Sequence, residues 1–101
     1  MKSIEEIKAA YPGQEIWTLT VNDKTGAPIT VHLRELDRTT YKVVSALVAK
    51  DELQGVESLL KTLHVGGDDV NKITNDFKAL RNASVTILPL LQAEAGELKK
   101  N

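Results

Sequence analysis

Two histidines, His32 and His64, are the residues of this chain best suited to acid-base or metal chemistry. They lie 32 positions apart and lack the ligand spacing of a zinc site, such as two histidines one helical turn apart. There is no cysteine, so neither a thiolate centre nor a disulfide framework can be built. His32 alternates with apolar neighbours and is expected to face solvent, and His64 is expected in the last turn of a helix, where its charge suits the dipole. The stretch Asp69-Val-Asn71-Lys-Ile73-Thr-Asn75 has the oxygen-rich look of a calcium loop. It lacks the glycine of the sharp turn and carries Leu80 where a bidentate glutamate belongs, so helix capping by Asp68 or Asp69 is the better use. Gly66-Gly67 is not followed by the lysine and hydroxyl of a phosphate loop. Glu5, Glu6, Glu35 and Asp37 are too scattered for a carboxylate pair, and Thr39-Thr40 and Ser84-Val-Thr86 offer hydroxyls with no histidine and acid beside them. The residues thus predict no catalytic, cofactor-binding or metal site, and the expected function is non-enzymatic.

The elements that must carry any binding surface are more legible. Residues 16–36, IWTLTVNDKTGAPITVHLREL, alternate apolar and polar side chains twice, with Trp17, Leu19 and Val21 in one run and Ile29, Val31 and Leu33 in the other. Period two is the signature of a strand with one sheltered face. Between the runs, Asp23-Lys-Thr-Gly26 has the acid and glycine of a type I turn closed by a bulge. That turn predicts Val21 opposite Ile29, Leu19 opposite Val31 and Trp17 opposite Leu33, all on one face. Pro28 opens the second strand, where a missing amide hydrogen is tolerated.

Helical signals surround the hairpin. Ser3 and Glu6 form a capping box, and Pro12-Gly13 ends the helix it starts. Asp37 is a good N-cap for RTTYKVVSALVAK, and Asp51 with Gln54 caps ELQGVESLLKTLHV, which Gly66-Gly67 terminate. Gly55 inside the latter costs about 1 kcal/mol against alanine, which a close backbone contact would justify. From Val70 the apolar positions 70, 73, 77, 80, 87 and 91 predict one long amphipathic helix, with polar Ser84 in a seam position and a kink or break near Leu88 imposed by Pro89. The polar tail AGELKKN is expected to fray. The predicted fold is α+β: one domain over residues 1–101, with an N-terminal helix (1–14), a single two-stranded hairpin (15–36) and a helical part (37–101), three to four helices in all.

Composition narrows the function classes. Thirteen basic residues against fourteen acidic ones give a net charge of −1, and the two signs are interspersed, unlike the basic face of a nucleic-acid binder. No apolar run approaches the roughly 20 residues of a membrane span, and the acids of MKSIEEIK occupy the place of a secretion signal's apolar core. A soluble cytoplasmic protein is expected. Only four residues are aromatic, so Trp17, Phe77, Tyr11 and Tyr41 are expected to serve as the large anchors of an aliphatic core. What remains is surface for protein partners. A hairpin edge or the Leu88, Leu90, Leu91 cluster of the C-terminal helix offers a surface for a homo-oligomer, and burial of both within the monomer is the equally weighted alternative.

The stretches IEEIKAAYPGQEIWTLTV and VHLRELDRTTYKVVSALVAKDELQGVESLLKTLHVGGD, and their order of elements, resemble small proteins of tailed bacteriophages and prophages, in particular the tail assembly chaperone group. The resemblance implies a holdase-like partner of the long helical tape measure protein, working in the bacterial cytoplasm before the tail tube assembles around that client. It carries over no catalytic residue. A minor neck or tail adaptor of the virion and a small inhibitor of a host protein are the alternative readings.

Overall fold

The computed structural model describes residues 3–91 and 98–100. Its first element, α1 (Ile4–Ala10), starts as the capping box predicts, with the Glu6 amide donating to Ser3 Oγ at 3.2 Å. Strands β1 (Ile16–Asn22) and β2 (Pro28–Arg34) pair antiparallel in the expected register, Val21 opposite Ile29, Leu19 opposite Val31 and Trp17 opposite Leu33. The turn between them is held as its residues require. The Gly26 amide donates to the Asp23 carbonyl at 3.0 Å, the Asp23 amide donates to the Ala27 carbonyl at 2.9 Å, and Gly26 takes a φ of +87° that disfavours any side chain.

Helices α2 (Arg38–Lys50) and α3 (Glu52–Leu63) follow as a tight helical hairpin. Asp37 caps the first through the Thr40 amide at 2.7 Å, and Asp51 caps the second through the Gln54 amide at 3.1 Å. Gly55 is fully sheltered against α2, and a Cβ placed on it would lie 2.7 Å from the Val48 amide nitrogen. The suspicion that this glycine marks a close helix crossing is correct.

Beyond α3 the structure departs from expectation. His64 does not finish the helix. It begins a third strand, β3 (His64–Gly67), which pairs antiparallel with β2, so the sheet has order β1-β2-β3 and the two-stranded hairpin is corrected to three strands. The reason lies in the two glycines, which leave room where side chains would collide. A Cβ on Gly66 would sit 2.5 Å from Ile7 Cδ1, and one on Gly67 would sit 2.5 Å from the Thr30 carbonyl oxygen. Asp68, expected as a helix cap, instead closes the new ladder. Its carboxylate accepts from the Thr30 amide at 2.9 Å, while its own amide donates to the Thr30 carbonyl at 2.7 Å. His64 Nε2 lies 2.9 Å from the Asp68 carbonyl oxygen; a carbonyl can only accept, so Nε2 carries the proton.

The long helix expected from Val70 is also divided. A single turn, α4 (Asn71–Thr74), stops at Asn75, and Asp76 caps a new helix, α5 (Phe77–Ile87), by accepting from the Ala79 amide at 3.0 Å. Asp76 also accepts from the Lys24 amide at 3.1 Å, tying the helix start to the hairpin turn. The buried face of α5 is Ala79, Leu80, Ala83, Ser84 and Ile87, so Leu80, Ser84 and Ile87 lie in the expected seam, whereas Phe77, expected there too, is 68% exposed. Pro89 ends α5 as anticipated, and a 3-10 turn spans Leu88–Leu91. The count of three to four helices is thus corrected to five α-helices among the described residues. Most of the polar tail lies outside the described residues.

The molecule is α+β, with helices on both sides of the sheet. Leu19, Val21, Ile29, Val31 and Leu33 face α3, α4 and α5 in one aliphatic cluster. Ile7 of α1 packs on the opposite face over Gly66 and His32. None of the four aromatic residues is buried, so their expected role as core anchors is corrected. Aliphatic packing suffices because Leu59, Leu60, Ile73 and Val31 are completely enclosed.

Thr40 and Ser84 are the buried polar residues among the described ones, and the Ser45 and Ser84 hydroxyls are enclosed there without a partner. Ser84 is 2% exposed and its hydroxyl has no partner within the described residues. An unpaired buried hydroxyl loses hydration without compensation, and serine is a poorer helix former than alanine. Ser84→Ala should therefore stabilise the fold by about 1 kcal/mol, read as a higher urea midpoint at unchanged slope.

Candidate protein-binding site

The largest side chains of the chain stand at its surface. Trp17 and Tyr41 are each 44% exposed and Phe77 is 68% exposed, while the interior is filled by smaller aliphatic residues. Trp17 points to the side of the sheet shared by Leu19 and Val21, but it sits at the open end of the edge strand, where the helical layer does not reach across it. It forms one lip of a cleft of about 240 Å³. The deeply buried Leu59 and Leu63 of α3 make the floor, and Leu36 from the connection between β2 and α2 and Leu90 of the 3-10 turn complete the apolar lining. The cleft is smaller than the roughly 300–1,000 Å³ of pockets that enclose a drug-sized ligand. It suits a large apolar side chain presented by a partner.

The rim is polar. Glu15, Arg34 and Glu35 surround the mouth, and the Arg34 guanidinium donates to Asp37 at 2.8 Å. That hydrogen bond, followed by the one from the Thr40 amide, holds the Asp37 carboxyl down to about 2, from an ordinary value of 3.8. Because the folded value is depressed, the stabilisation it brings is present above pH 3.8 and is lost as pH falls through about 2. The same direction holds for Asp76, through the Ala79 and Lys24 amides, and for Asp23, chiefly through the Thr25 hydroxyl. Stability should fall as pH drops from about 4 to about 2 through Asp37, with Asp76 and Asp23 adding losses of the same sign at acid pH. Carboxyl-carbon NMR titration checks this, with Arg34→Ala expected to move the Asp37 midpoint upward.

The chemistry-bearing residues of the sequence occupy separate positions. His32 and His64 lie on neighbouring strands, yet His32 Nδ1 is 3.0 Å from Thr18 Oγ1 and His64 is engaged by the Asp68 carbonyl. His32 is half-buried beside Gly66 rather than fully solvent-facing. Asp69 accepts from the Asn71 amide at 2.9 Å as a turn residue. Among the described residues no group of three or more His, Asp or Glu side chains is arranged to hold a metal ion. Likewise no helix among them is long and apolar enough to cross a membrane. Glu35 alone of the carboxylates weighed from sequence reaches the cleft. Sequence reasoning missed Trp17 as a surface residue because alternation reports which face a side chain takes, not whether anything covers it. The available signal was its place two residues after the charged Glu15, at the start of the strand.

Comparison with known proteins finds no matching family model, no similar curated protein and no similar solved structure.

Proposed function

We propose that this chain is a non-enzymatic binder of an apolar helical protein segment, acting as a tail assembly chaperone does on a tape measure protein in the cytoplasm of a phage-infected cell. The observation that carries the reading is the placement of the aromatic side chains outside an aliphatic core, with Trp17 standing over a leucine-floored cleft. Tryptophan and tyrosine dominate binding energy at protein interfaces, and a domain that leaves them outside keeps them for partners. The cleft would take one leucine-sized or phenylalanine-sized side chain of the client helix. Glu15 and Glu35 at the rim favour lysine or arginine flanking that side chain. One such contact is weak, but many copies along a long client hold it strongly and release it stepwise as a tube assembles.

The test is co-expression with a phage tape measure protein, followed by co-purification and a Trp17 fluorescence titration. Docking should shift the indole emission to the blue. Trp17→Ala should weaken the complex about tenfold or more, as expected for an aromatic anchor worth over 1.4 kcal/mol. Its unfolding midpoint should fall as well, because more than half of the indole is covered, so binding is compared at a temperature at which circular dichroism shows both forms folded. Unchanged client solubility with no complex would remove the chaperone reading.

A further inference from the structure

The sheet ends on one side in β1, and the hydrogen-bond pattern of the hairpin determines which of its backbone groups look outward. The Asp23 amide donates to the Ala27 carbonyl at 2.9 Å, so the bonded pairs alternate from there through Val21/Ile29, Leu19/Val31 and Trp17/Leu33. Thr18/His32 and Thr20/Thr30 are then the close, non-bonded pairs, consistent with their 3.0 Å side-chain contacts. Thr30 agrees independently, since both its backbone groups turn to Asp68 on the β3 side. The amides and carbonyls of Ile16, Thr18, Thr20 and Asn22 therefore face away from β2. Among the described residues no backbone group pairs with them there. The edge also lacks the devices that normally discourage strand addition. Its seven residues, IWTLTVN, include no charge and no proline, and the register with β2 runs without a bulge.

We propose that β1 pairs antiparallel with β1 of a second copy of this chain, about a two-fold axis at Leu19. Only outward-facing residues can form the bonded pairs, so even-numbered positions must oppose even-numbered ones. The register that uses the whole strand sets Ile16 opposite Asn22, Trp17 opposite Val21 and Thr18 opposite Thr20. The α3–α5 layers of the two copies then lie on the same side of a continuous six-stranded sheet. The choice of a second copy rests on self-complementarity. The exposed Trp17 stands at one end of β1. At the other end Asn22, with Asn82, Val85 and Thr86 of α5, lines an open gutter of about 420 Å³ in which Val85 is 71% exposed. The two-fold axis carries the indole of each copy to Val21 and toward the gutter of the other, twice over. Glu15 and Asp23 lie just beyond the two ends and face each other across the axis, an opposition that added salt relieves. Trp17 is also a lip of the client cleft, so self-pairing and client capture exclude one another at that side chain. The test uses the chain alone and is decided independently of the client reading.

Sedimentation equilibrium of the full chain from micromolar to millimolar concentration should show a monomer–dimer equilibrium. Thr20→Pro removes an outward amide that the hairpin does not use, which an edge strand accepts. Thr18→Lys adds the charge that natural edges carry. Each should raise the dimer dissociation constant about tenfold or more, the loss expected for 1.4 kcal/mol. In a mixed-label sample of the unsubstituted chain, a nuclear Overhauser effect should join the Trp17 indole of one copy to the Val85 methyls of the other. A strict monomer at millimolar concentration overturns the proposal, as does equal dimerisation by the unsubstituted chain and a folded variant. Circular dichroism establishes which variant is folded, and Thr18→Lys carries the comparison if Thr20→Pro is not.

Discussion

Gly67→Ala is expected to lower stability by about 3–5 kcal/mol, a large part of the 5–15 kcal/mol typical of a domain. Two costs combine at this position. The backbone φ is +85°, where an L side chain costs of order 1–3 kcal/mol. The added Cβ would also stand 2.5 Å from the Thr30 carbonyl oxygen and 2.9 Å from Val31 Cα, both backbone atoms of the central strand that cannot swing aside. Gly26 supplies the control, because its φ is +87° and nothing lies within 4 Å of a Cβ there. Gly26→Ala should therefore cost only about 1–2 kcal/mol, the strain alone. Chemical unfolding of both variants separates the two contributions, and amide exchange at Thr30 and Asp68 should quicken only in Gly67→Ala. Equal losses in the two variants would mean that the approach of β3 to Thr30 contributes nothing.

Gly55→Ala is the second substitution with a large expected effect, and its sign is opposite to what helix propensity predicts. In an exposed helix the change would gain about 1 kcal/mol. Here the methyl would collide with the Val48 side chain and lie 2.7 Å from the Val48 amide nitrogen and 2.9 Å from its Cα. The α2–α3 hairpin must separate by several tenths of an ångström to accept it, which breaks close packing over Val44, Leu59 and Leu60. A net loss of about 2–3 kcal/mol follows from overpacking costs of this kind. For a chain of this size that corresponds to a fall of roughly 10–20 °C in the thermal midpoint. A neutral or stabilising result would show that the two helices are not held at this distance.

The contrast between these glycines explains what could be read in advance. Gly55 interrupts a clear apolar period, so the sequence itself raises the question of a close neighbour. Gly66-Gly67 follow a helix and precede two aspartates, which locally is a helix end and a cap. Only the free edge of β2 and the space beneath Ile7 turn that segment into a strand. Asp76 was missed for a related reason. The spacing 70, 73, 77, 80 continues smoothly through it, and what interrupts the helix is a tertiary bond from the Lys24 amide, 52 positions away.

The candidate site divides in the same way. That Trp17, Leu59, Leu63 and Leu90 are apolar is written in their types, and the side of the sheet that Trp17 takes follows from alternation. That they meet around one opening, with Glu15 and Glu35 at its mouth, depends on where α3 and the 3-10 turn stop relative to the end of β1.

By itself, then, the sequence determined the hairpin register, its turn, the caps at Ser3, Asp37 and Asp51 and the α+β class. Each of these is set by residues within a few positions of one another or by a strict two-residue period. The third strand, the break at Asp76 and the exposure of Trp17 and Phe77 were decided only by the tertiary structure. They depend on which surfaces remain uncovered once distant elements have packed, and no local pattern carries that information.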